Sequence, residues 1–202
     1  MELFKQWDLN SSASSIIETV AIEWAYKILQ KAPPPKTDEQ ASHSIDQMNR
    51  AIENTSATEK LNLFSETMKD MEKRFGSWKI PWGEVNRYQR NPNDRFDDNK
   101  VSMAVGLAAA TWGSLPSFVS RRSSNTNRRY GYSGNSFVAC VEFGKKIKAK
   151  TIITGGQSFD PVSKHFTDQA EMFIEGNFKD AWFYKEDLLK HVEKTYHPGN
   201  RQ

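Results

Sequence analysis

An α+β fold is what this sequence predicts, on three observations. Apolar residues recur at helical spacing near the amino terminus, at Ile17, Val20, Ala21, Trp24, Ala25 and Ile28. Two strand-like runs, 136–143 and 149–154, lie in the last third, joined by Gly144, Lys145, Lys146, Ile147 and Lys148. Helical spacing then returns at Phe166, Ala170, Phe173 and Ile174. Helices first, strands next and helices last describe an α+β body rather than an alternating α/β one. Residues 1–76 read as a helical segment and 77–202 as an α+β segment, together one continuous piece of a larger domain.

The first helix is bounded by Ser15 and Glu18, which suit a capping box, and by Pro33, Pro34 and Pro35, which stop it. A second helix is expected over 37–54 with Ile45, Met48 and Ile52 inward. A third covers 58–75, with Leu61, Phe64, Met68, Met71 and Phe75 on one side and Gly76 as terminator. Beyond Gly76 come Trp78, Ile80, Pro81, Trp82 and Val85, then a turn at Asn91, Pro92, Asn93 and Asp94. Small residues crowd 101–118, where backbone can approach backbone closely. The run 137–141 lacks strict alternation, which predicts a strand buried on both faces. That burial would make the thiol of Cys140 a small hydrophobe. Pro161 and Ser163 suit the start of a helix, and 185–196 reads as a last short helix ended by His197, Pro198 and Gly199.

A hydrophobic fraction of 37% and a mean hydropathy of −0.72 are low for 202 residues, so the aromatic residues must carry much of the burial. The net charge of +3 raises the question of nucleic acid, since Arg121, Arg122, Arg128 and Arg129 flank a Ser/Asn-rich loop. Aromatic interleaving is thin there, and internal ion pairing is the expected use of these side chains. One cysteine supports neither a disulfide framework nor a zinc site. No apolar run approaches ~18 residues, so no span is expected, and the first residues lack the pattern of a secretion signal.

Constellations able to carry chemistry are few. Gly131, Tyr132, Ser133, Gly134 and Asn135 nearly spell a nucleophile elbow, but Asn135 replaces the second glycine and a strand follows where a helix is needed. Ser158, Ser163, His165 and Asp168 crowd together like a triad in miniature; His165 and Asp168 at this spacing are expected to pair as a cap or surface contact. His43, His165, His191 and His197 show no ligand spacing. Asp94, Asp97 and Asp98 depart from the calcium-loop pattern and read as a solvated turn. Gly155 and Gly156 lack the lysine and hydroxyl residue of a phosphate cradle. No residue is assigned as catalytic, cofactor-binding or metal-binding.

The order of several motifs does carry a resemblance. Leu3, Phe4, Lys5, Gln6, Trp7 and Asp8 open it. Phe75-Gly76 and the run Trp82, Gly83, Glu84, Val85, Asn86, Arg87 continue it. It is densest from Ala110, Thr111, Trp112, Gly113 and Ser114 to His197, Pro198 and Gly199. Its specific part is Gly155-Gly156-Gln157-Ser158 with Asp160-Pro161, Ser163, His165-Phe166 and Asp168-Gln169. Together these resemble the carboxyl-terminal part of the β chain of penicillin acylases (penicillin amidases), which are N-terminal-nucleophile hydrolases. Phe159 departs from the pattern, standing where the family commonly has glycine; a positive φ there would strain it by ~1 kcal/mol or more.

The resemblance implies a layered α/β/β/α core that the two strands and the carboxyl-terminal helices would complete, with Trp24, Trp82, Trp112 and Trp182 as core or interface anchors. It implies hydrolysis of the amide of N-acyl substrates by a Ser, Thr or Cys at the start of the β chain. The nucleophile, the oxyanion asparagine and the calcium ligands of the family precede the region represented here. Neither Met1 nor Asn135 takes those roles, and no cofactor is expected in this chain. The expected partners are the upstream β-chain part and the α chain, with an N-acyl small molecule bound only by the complete enzyme. A chain missing its other half should also expose apolar surface. Periplasmic location and antibiotic metabolism follow only by resemblance. The other reading is a stand-alone, non-catalytic module derived from the family that binds a protein partner.

Overall fold

The computed structural model describes residues 2–31, 44–92, 95–192, 194, 195, 197 and 199. The expected proline stop at Pro33, Pro34 and Pro35, the first part of the second helix with His43, and Asn93, Asp94, Tyr196 and Pro198 lie outside them. The chain is α+β and divides into two units, residues 1–135 and 136–202.

In the first unit, α1 (Glu2–Lys5), α2 (Ile16–Leu29), α3 (Ser44–Asn54), α4 (Ala57–Phe75) and α5 (Trp82–Val85) precede a four-stranded sheet. Its strands are β1 (Asn86–Tyr88), β2 (Met103–Ala104), β3 (Phe118–Arg122) and β4 (Arg129–Gly134), in the order β2-β1-β4-β3. The β1–β4 pair is parallel and the others antiparallel. Sequence periodicity missed all four strands, because they are short and their polar residues outnumber any alternating stripe.

Ser15 caps α2 by accepting from the Glu18 N–H at 3.1 Å. The Glu18 carboxylate does not return to Ser15. It accepts from the Ser11 hydroxyl and the Ser12 N–H, both at 2.8 Å, and so ties the strap ahead of the helix. That strap takes the Gly83 N–H on Ala13 O (2.8 Å) and the Trp82 N–H on Ser15 O (2.9 Å). A side chain at Gly106 would meet Ala13 N at 2.8 Å, so the small residues of 101–118 do serve close backbone approach. Ile22, Trp82, Val85 and Ala108 form the core here, flanked by Tyr26 and Trp112.

Burial raises the pKa of Glu18 above the ordinary carboxylate value. The folded state therefore holds the proton more tightly than the unfolded chain does. Stability is expected to be fully present below the unfolded carboxylate pKa and to fall as pH rises through the folded one. Unfolding midpoints across that window should decline in the wild type, and the decline should flatten in Glu18→Gln.

Two helical faces differ from expectation. Ile45 and Ile52 are exposed, and Ala51 is buried, packed with Ile28 and Leu63. Likewise Leu61 is exposed, and α4 turns Leu63, Thr67 and Met71 inward. In both helices the inner face is set by packing on α2: in α3 it turns to Ala51, and in α4 it turns from Leu61 to Leu63 and Thr67 while Met71 stays inward as expected. Gly76 does end α4, at φ 76°.

The second unit holds β5 (Phe137–Glu142), β6 (Lys148–Ile153), α6 (Ala170–Glu175), β7 (Lys179–Asp180) and α7 (Lys185–Leu188), with the sheet order β5-β6-β7. Ile152, Ala170 and Phe173 are buried. The doubly buried interior strand expected at 137–141 is instead an exposed edge strand, and Cys140 is exposed with it. Apolar composition suggested burial, but within this unit only β6 flanks the strand. The helix expected from Pro161 begins only at Ala170, and the last helix shrinks to α7 and a 3-10 turn, Leu189–His191.

Candidate functional site

The densest motif of the sequence, residues 155–169, folds as a clasp between β6 and α6. The Gln169 N–H donates to Gly155 O (3.1 Å), its side-chain Oε1 accepts from the Ile153 N–H (3.1 Å), and its carbonyl accepts from the Phe173 N–H (3.0 Å). Gln169 thus joins the end of a strand to the start of a helix. Across the ring, the Ser158 N–H donates to His165 O at 3.1 Å. Gly156 permits this closure, since a Cβ there would stand against His165 O and 2.7 Å from Asp168 Oδ1.

The side chains crowded in this motif serve the clasp. Ser158 Oγ accepts from the Asp160 N–H (3.0 Å), Asp160 Oδ1 from the Val162 N–H (3.0 Å), and Ser163 Oγ from the His165 N–H (3.1 Å). Local bonds of this kind compete with helix formation, which is why 161–169 turns rather than coils. His165 Nδ1 lies 2.7 Å from Asp168 Oδ2, with both side chains partly exposed. The pair falls at the expected spacing. Phe159 is 95% exposed; the non-glycine residue at positive φ among those described is Leu9, so the strain considered for Phe159 does not arise.

Of the other sequence candidates, Ser133 lies in β4, hydrogen-bonded to β3, with no strand-turn-helix about it. Asn135 Oδ1 accepts from the Ser117 N–H at 2.6 Å. His191 stacks on Trp182 at 4.3 Å between ring centres. Among the described residues, no group of three or more His, Cys, Asp or Glu side chains gathers at metal-binding distance, and no helix is long and apolar enough to cross a membrane.

The four arginines have internal partners. Arg129 reaches Glu23 Oε1 at 3.0 Å and lies 4.0 Å from the Tyr26 ring centre. Arg74 takes the other Glu23 oxygen and lies 3.0 Å from Asp70, which also pairs with Arg122 at 3.4 Å. Arg128 donates to Asp98 O (3.0 Å), and Arg121 covers Tyr132 at 4.5 Å. Glu23, which the sequence reading does not single out, is the hub of this cluster; a lone glutamate opposite the apolar stripe of α2 carries no local signal of that role.

The loop expected to be a solvated turn is pinned down. Asp98 accepts from the Asn127 N–H (2.6 Å) and from the Tyr130 hydroxyl (2.9 Å). Burial, and then this carboxylate, push the Tyr130 pKa up to about 12.

The second unit also holds a cavity of about 600 Å³ lined by Val141, Ile147, Ala149, Trp182, Phe183 and Tyr184. At its rim Lys146 lies 2.6 Å from Asp187. The bond raises the lysine pKa and lowers that of the aspartate.

The clasp, its order of residues and the Trp82–Arg87 segment together ask which proteins share them. A family model described as penicillin amidase matches residues 1–190. The chain belongs to the penicillin amidase family. The match takes in both units and the whole clasp, and it relates the chain to acylase-type hydrolases. Within the family element of this chain, Ser158, Ser163, His165 and Asp168 are arranged as ties of a turn.

Proposed function

We propose that this chain supplies the carboxyl-terminal part of a penicillin-amidase-type hydrolase that cleaves the amide bond of N-acyl substrates. Turnover requires a second portion that carries the amino-terminal nucleophile, its α-amine as base and the oxyanion asparagine. Calcium, where the enzyme uses it, belongs to that portion, and the periplasm is the expected location of the whole.

The observation that carries the reading is the use made of the family element. Its serines accept main-chain N–H groups and its aspartates brace the turn, so the motif builds a scaffold. The exposed side chains of Phe137, Phe143 and Phe183 also support a missing partner. They equally suit a stand-alone interaction module descended from the family.

Amidase assays on phenylacetyl and long-chain acyl anilides separate the two readings. The chain alone is expected to be silent, and the chain mixed with the portion encoded upstream is expected to turn over substrate. Turnover by the chain alone would overturn the proposal. An inactive mixture, or the absence of any acylase-like reading frame upstream, would favour the non-catalytic module.

A further inference from the structure

The strap that runs through residues 9–15 into α2 buries little of its own. Leu9 to Ser12 and Ser14 are exposed, and Ala13 and Ser15 are half-buried. It is seated against Gly83 and Gly106, where no side chain fits. Its ties to the rest of the first unit are hydrogen bonds: those that Ala13 O and Ser15 O accept from the Gly83 and Trp82 N–H groups, and the two that the Glu18 carboxylate accepts. The chain enters it through Leu9 at φ 62°, a left-handed backbone that residues with a side chain disfavour. A segment with few apolar contacts and a strained entry opens by itself more readily than the core does.

Glu18 is 1% exposed, yet among the described residues no lysine or arginine pairs with its carboxylate. Both of its donors, the Ser11 hydroxyl and the Ser12 N–H, are neutral and lie on the strap itself. The charges on the neighbouring elements are engaged elsewhere. On α1, Lys5 pairs with Glu2; ahead of the strap, Asp8 accepts from Asn10. Further along α2, Glu23 holds Arg74 and Arg129. Beyond the strap, Arg87 donates to Gly83 O and Ser102 O, and Glu84 lies near Arg87 and Arg128. A carboxylate out of water with no cation is costly to ionise. Protonation costs it neither tie, because a hydroxyl can accept as well as donate: the Ser11 oxygen takes the new proton and the Ser12 N–H keeps the other oxygen.

We propose that the strap is a proton-operated latch on the Trp82–Arg87 segment, held most firmly while Glu18 carries a proton and opened more often once the carboxylate ionises. Opening removes both donors and returns Glu18 to water. The closed form therefore binds the proton more tightly than the open form, and loss of the proton shifts the strap towards opening. The open strap frees the N–H groups of Trp82 and Gly83 at the start of α5 and lets Leu9 return to ordinary backbone. The core of Ile22, Trp82, Val85 and Ala108 stays packed, so the event is local.

Hydrogen exchange on this chain across the range from acid to neutral, corrected for the intrinsic rate of each amide, tests the latch. The Ser12 and Gly83 amides are expected to exchange at least ~10-fold faster than the slowest amides of α4 at every pH, the mark of local opening. Their protection should be flat in acid and fall by up to ~10-fold per pH unit above the ordinary carboxylate range, the limit for one linked proton. It should level off once Glu18 is ionised. Glu18→Gln, whose amide donates to Ser11 and accepts from Ser12 as the protonated acid does, is expected to hold the acid value at every pH. Three results would each overturn the latch: wild-type protection that ignores pH, a slope that survives in E18Q, or strap amides that exchange only as slowly as those of α4.

Discussion

Replacing Glu23 by alanine is expected to lower the free energy of unfolding by about 3–5 kcal/mol, the usual cost of stranding buried charge. The Glu23 side chain is 8% exposed and its partners Arg74 and Arg129 are 5% and 12% exposed. Both guanidinium Nε groups lack aligned acceptors, so the carboxylate satisfies much of what the pair needs. Removing it leaves two cations facing each other beside Tyr26, with Asp70 near only one of them. Urea unfolding of the wild type, E23A and D70A gives the comparison. D70A, whose carboxylate is 30% exposed, is expected to cost less than about 1 kcal/mol. Equal losses in the two variants would show that water reaches the Glu23 site and that the cluster is not closed.

Gly156→Ala is expected to cost about 2–3 kcal/mol, because the added carbon meets backbone that cannot step aside. Besides His165 O, it would lie 2.8 Å from Phe166 O. Those carbonyls belong to the far arm of the clasp, held by the Ser158 N–H to His165 O bond. The arm must open, so the Ser158 and Gln169 amides should lose exchange protection together while those of α4 keep theirs. A local loss of this kind distinguishes a sprung clasp from general unfolding. Unchanged protection at both amides would mean that the turn accommodates a methyl group, contrary to the geometry.

Much of the architecture was legible in the residues because it rests on local rules. Ser15 at the start of α2 and Gly76 at the end of α4 are read from capping chemistry alone. The β5–β6 pair was visible as two strand-like runs, 136–143 and 149–154, joined by a short connection. What was not legible depends on partners distant in sequence. Nothing near Ala51 or Leu63 announces that they, rather than Ile52 and Leu61, meet Ile28. The parallel pairing of Asn86 with Arg129 has no local signature either. At the clasp, the crowding of Ser158, Ser163, His165 and Asp168 was plain, but its purpose emerged only from which backbone groups those side chains reach. The apolar pattern of β5 was read as burial, whereas the strand lies exposed at the edge of its sheet.

The hub at Glu23 also orders events during synthesis. Its two arginine partners lie 51 and 106 residues further along the chain. As the polypeptide emerges, Arg74 can reach Glu23 once α4 is out, but the cluster stays half-built until Arg129 appears. Contacts of such long separation are slow to form, and domains complete themselves only when their last required residue has left the ribosome. The strands and clasp of 137–169 close over much shorter separations. The amino-terminal unit is thus expected to complete its core more slowly than the unit that follows it.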